Sequence, residues 1–126
     1  MQWQVKKKEK SQMANPLKGQ IEVELAGQTY KARLTMESIM GIETTLGTSL
    51  LKTATQMAEG DVGVTQIINI LHPALRGGGN DLSIKDVMQI VEKAGIVKST
   101  VAISSILSKT LNADAGEDSE KKPEEN

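Results

Sequence analysis

His72 is the only histidine in the chain, so it is the first residue to weigh for proton transfer. A general base needs a nucleophile within hydrogen-bond reach and a group that orients the ring. No Ser, Asp or Glu motif accompanies His72, and Pro73 follows it directly. The context predicts a structural or surface histidine. The chain has no cysteine, which removes thiolate nucleophiles, disulfides and Cys-based metal sites. A metal would rest on carboxylates alone, and these are scattered without calcium-loop spacing. Glu37 and Glu43 stand six apart on one expected helix, so they do not pair on a face. Arg76-Gly77-Gly78-Gly79-Asn80-Asp81 has the glycines to approach a phosphate. However, no strand precedes it and no Lys-Ser/Thr follows, so it is read as a flexible link between helices. No catalytic residue, cofactor or metal ligand is expected, and the chain reads as a non-enzymatic binding or assembly protein.

The elements that would carry such a role start at Gly19. Ile21, Val23 and Leu25 alternate with Gln20, Glu22 and Glu24, and Tyr30, Ala32 and Leu34 alternate with Lys31 and Arg33. A period of two predicts two short strands, each with one apolar face. Ala26-Gly27-Gln28 forms the turn, and Glu22 and Glu24 are set against Lys31 and Arg33 across the pair. A lone hairpin is marginal in water, so helices must cover its apolar face.

Five helices are expected. Thr35 caps the first, which contains Gly41 and ends at Gly47. Thr48 or Ser49 caps a second over about 50–59. The third starts near Thr65, and Pro73 should kink or divide it near Leu71. Ser83 opens the fourth with a capping box completed by Asp86. The fifth covers about 98–112, with Val101, Ile106, Leu107 and Leu111 as its stripe and Ile103 off it. The expected class is α+β and mostly helical: an N-terminal β-hairpin on a bundle of four to five short helices. The apolar stripes of the second and third helices are the widest. Leu50, Leu51, Ile67, Ile68, Ile70 and Leu71 are therefore the expected partner-binding residues, on the reasoning that a small core cannot cover them all.

With 126 residues and 38% hydrophobic content, the chain fits one small domain over 19–112. Phe is absent, and Trp3 and Tyr30 are the only aromatics besides His72. The core must be aliphatic. Residues 1–18 read as a disordered basic arm with Lys6, Lys7, Lys8 and Lys10, and 113–126 as a disordered acidic tail. Met13 is a plausible alternative start, which would leave 1–12 dispensable. Over residues 13–112 nine acids balance nine bases, which argues against nucleic acid as a partner. No apolar run approaches the roughly 20 residues of a membrane span, and no apolar signal segment opens the chain. A cytoplasmic protein is expected. The hairpin's two open edges and the helical stripes together predict a weak homo-oligomer.

Several short segments occur in a telling order. They are Asn15-Pro16-Leu17-Lys18-Gly19, the charged hairpin, Leu34-Thr35-Met36, and Ile42-Glu43 with Leu46-Gly47-Thr48-Ser49-Leu50. Ala74-Leu75-Arg76-Gly77-Gly78, Asp81-Leu82-Ser83 with Val87, and Ala94-Gly95 complete the set. Over about 13–112 this order resembles the small bacteriophage tail-assembly proteins named after the gene-transfer-agent tail protein. Pro73 departs from the family, which often has an aromatic or small residue there. The resemblance implies a phage or prophage tail-assembly chaperone that binds the tape-measure protein and hands over to tail-tube subunits in the host cytoplasm. The alternative is a structural tail-tube or tail-completion subunit. Strand signal confined to residues 20–34 counts against the alternative. The family offers no catalytic residues to carry over.

Overall fold

Alternating apolar residues form β1 (Ile21–Leu25) and β2 (Gln28–Ala32), an antiparallel pair. They are joined by Ala26 (φ 53°) and Gly27 (φ 80°). Two successive positive φ values make this a type I′ turn, whose twist matches that of the flanking strands. The register sets Glu22 opposite Lys31, but Glu24 faces Thr29. The register thus sets only one of the two expected opposite-charge positions face to face. The computed structural model describes residues 19–125, with 113–125 as backbone only. The basic arm expected at 1–18 lies outside the described residues, as do the side chains of the acidic tail expected at 113–126.

Five helices follow: α1 (Met36–Leu46), α2 (Leu50–Ala58), α3 (Val64–Gly77), α4 (Ile84–Ala94) and α5 (Ile96–Glu125). The chain is thus an α+β, mostly helical fold. Local chemistry fixes the helix ends. The Ser38 N–H donates to Thr35 Oγ1 at 3.0 Å, the Lys52 N–H to Ser49 Oγ at 3.1 Å, and the Asp86 N–H to Ser83 Oγ at 3.1 Å. Gly47, at φ 72°, stops α1. The Leu50 N–H donates to Glu43 Oε2 at 2.8 Å. A carboxylate from α1 therefore sits on the positive end of α2 and locks the turn between them.

α3 is the centre of the bundle. It touches α1, α4, α5 and β2, and Ile67, Ile70, Leu71, Ala74 and Leu75 are all fully buried. Of the kink or break expected at Pro73, the break does not occur: one helix runs Val64–Gly77. Pro73 removes one backbone donor, and burial of the whole stripe holds the helix through that gap.

α5 corrects the expected stripe. Ser99, Ala102, Ile103, Ile106 and Leu107 face the core, Ile103 with no exposure, whereas Val101 is 61% exposed. Spacing of i, i+3, i+4, i+7, i+8 from Ser99 gives a continuous face that excludes Val101. Ser and Thr in this helix hid that face from a reading of apolar residues alone. Among the described residues no helix is long and apolar enough to cross a membrane.

Candidate partner-binding groove

Four of the six residues expected to meet a partner are core. Ile67, Ile70 and Leu71 are fully buried and Leu50 is nearly so. They correct the sequence reading: α3 is the central helix, so its wide stripe is covered by the rest of this same chain. Leu51 is exposed on α2, off the buried stripe of Leu50, Thr53 and Met57. Ile68 is half-buried at the flank of the α3 stripe.

Ile68 belongs to a groove that the other five do not line. With Val64, one turn earlier on α3, it faces Met88 and Val91 of α4 and Ile96 at the start of α5. The hollow is about 370 Å³, and its lining is almost wholly apolar, with Glu92 the one ionisable group. Val64, Met88 and Ile96 are each about half exposed, as is Ile84, one turn before Met88. Two apolar rows thus leave α4. Val87 and Val91 enter the core, while Ile84 and Met88 stay outside. A methionine in such a place adapts its shape to different partners. The arrangement suits burial of an apolar helix face and offers no acid–base pair. The sequence did contain the signal: Ile84, Val87, Met88 and Val91 form a stripe too wide for one contact.

The ionisable residues do structural work. His72 Nε2 lies 3.1 Å from Leu82 O, tying α3 to the loop before α4. Among the described residues no three His, Cys, Asp or Glu side chains come together to hold a metal. The Ser83 N–H, donating to Asp86 Oδ2 at 2.9 Å, holds the Asp86 carboxyl below its ordinary value, helped by the Ser83 hydroxyl.

The glycine run, expected to be a flexible link, is instead a packing seam. A Cβ on Gly77 would fall 2.1 Å from Arg33 O, and one on Gly78 would fall 2.0 Å from Lys31 O. The Arg33 N–H donates to Ala74 O at 2.9 Å. Asn80 Nδ2 donates to Lys31 O at 2.8 Å and to Leu75 O at 2.9 Å. The end of α3 therefore covers the outer edge of β2 at Lys31 and Arg33. Glycine is needed because the two backbones touch.

A family model described as "Phage tail tube protein, GTA-gp10" matches residues 18–113. The match runs from just before β1 to just past the described side chains of α5, and the chain belongs to this family of phage and gene-transfer-agent tail proteins. No curated protein and no solved structure matches it. The resemblance read from the sequence was thus to a tail protein family, and the chaperone role within it does not follow from the match.

Proposed function

We propose that the chain is a non-enzymatic subunit of a phage-type tail, built into or onto the tail tube, and that the groove of Val64, Ile68, Met88 and Ile96 receives a neighbouring tail protein. The observation that carries this is the family match across the whole folded region. The groove supports it as an apolar surface left open by a fold whose core is already complete. Assembly would take place in the host cytoplasm.

One observation favours the chaperone as a second reading. The sheet has only two strands of five residues, little from which to build a ring, and the groove is lined by helices. A helix of a tape-measure protein would suit it. The two readings separate in purified mature particles. A tube subunit is expected there in many copies, and Met88→Glu should abolish its incorporation without unfolding it. Absence from particles, together with co-purification with a long helical protein, would favour the chaperone.

A further inference from the structure

Ile84 and Met88 stand one turn apart on the outward row of α4, and both are about half exposed. The hollow of about 370 Å³ opens past Met88, between Val91 and Gly95 on one side and Val64, Ile68 and Ile96 on the other. At about 3.6 residues per turn, Ile84, Met88 and Gly95 keep to one strip of the surface. That strip carries a projecting apolar side chain at its N-terminal end. Its apolar hollow lies about two to three turns further on.

The charges beside the strip have an order of their own. Lys85 and Glu92 are about two turns apart, so they lie on one line of the helix, next to Met88. Both are exposed, and among the described residues neither joins an ion pair. Asp86 and Lys93 fall roughly 100° further round, away from the strip. Asp81, in the loop before α4, is ion-paired with Arg76 at 3.6 Å. Lys98 lines a separate hollow beside Glu22 and Glu24.

A two-fold axis between Met88 and Gln89, with two α4 helices running antiparallel, satisfies all of these features at once. It sets Ile84 of each copy level with Lys93 of the other, on the groove side, and so over the hollow. It sets Lys85 level with Glu92 of the other copy, on the opposite flank, and does so twice. Met88 meets its own counterpart at the axis. A parallel pair would instead oppose Lys85 to Lys85. The face is therefore self-complementary in shape and in charge, as a two-fold contact requires. We propose that two copies of this chain pair through α4 as an antiparallel two-fold dimer. Ile84 of each copy is seated in the groove of Val64, Ile68 and Ile96 of the other, and Lys85 is paired with Glu92. This rests on the reading of the groove as a contact between tail proteins, and it names the neighbour as a second copy.

Sedimentation of the intact chain at low salt, over a wide concentration range, reads the pairing. A monomer–dimer equilibrium without larger species is expected, because a two-fold contact closes on itself. Lys85→Glu and Glu92→Lys should each weaken dimerisation by roughly tenfold, since each sets like charges together at two places. The double exchange K85E/E92K should restore it to within about threefold of the native chain. Ile84→Ala should weaken it by roughly tenfold or more. Far-UV circular dichroism should be unchanged in every variant. A strictly monomeric chain at the highest soluble concentration would overturn the proposal, as would a double exchange no tighter than the single reversals. Incorporation into particles scores the groove reading separately. A monomeric chain whose Met88→Glu variant still fails to incorporate would overturn the second copy and leave the groove to another tail protein. A dimer with the expected charge response whose Met88→Glu variant incorporates normally would uphold the pairing and overturn the tail contact.

Discussion

The two edges of the hairpin are treated in opposite ways. On β2, Lys31 and Arg33 hand their outward backbone groups to Asn80 and Ala74, and two glycines let α3 come close enough to do so. On β1, the outward backbone groups of Glu22 and Glu24 receive no hydrogen bond from the described residues, and α5 packs against the strand beside a trough. An unpaired strand edge invites another strand. A hairpin whose second strand is covered at Lys31 and Arg33 leaves β1 as the more open edge, so an added strand is directed by the fold rather than by chance. The two carboxylates also repel strands that do not bring positive charge.

The largest effect comes from adding one methyl to each side. Gly78→Ala drives a Cβ into the Lys31 carbonyl and is expected to cost about 3 kcal/mol or more in urea unfolding, with Gly77→Ala close behind. Ser105→Thr, on the trough side, adds a methyl at an exposed position and should change stability by less than about 0.5 kcal/mol. Equal effects would erase the distinction between the edges. Next is Asn80→Ala, which leaves Lys31 O without its side-chain donor. A loss of about 1–3 kcal/mol is expected from the same unfolding measurement.

Smaller and opposite in sign is Ala26→Asn. Ala26 sits at φ 53°, where an L side chain is strained, and Asn-Gly is the favoured type I′ pair. Stability should rise by up to about 1 kcal/mol, with the two edges affected alike. The smallest effect lies away from both edges. The Asp86 carboxyl is held below its usual value. Its contribution is therefore present above the unfolded-state pKa and is lost as pH falls through the folded one. Acid titration followed at α4 amides should show this loss below about pH 4, and Ser83→Ala should flatten it.

Much of the fold was legible because its signals are local. Alternation marked the strands, and Thr35, Ser49, Ser83, Gly47 and Gly95 marked helix ends through side-chain or backbone geometry that needs no distant partner. The seam was not legible. Gly77 and Gly78 look like a linker until β2 is laid across them, because their role depends on a contact more than forty residues away. The groove was half legible for a related reason. Stripe width showed that surface was left over, but only the packing shows that α3 spends its stripe on the core, so that Met88, Val64 and Ile96 remain. Ile103 and Val101 exchanged places because Ser99 and Ala102 complete a buried face that apolar counting does not see.

The contrast between the edges is tested most directly by amide exchange in the intact chain. The Arg33 N–H, held by Ala74 O within the fold, should exchange only with global opening, while the outward Glu22 and Glu24 amides should exchange at rates near those of an unprotected backbone. Comparable protection at Arg33, Glu22 and Glu24 would contradict a hairpin covered by α3 at the end of β2 and open along β1.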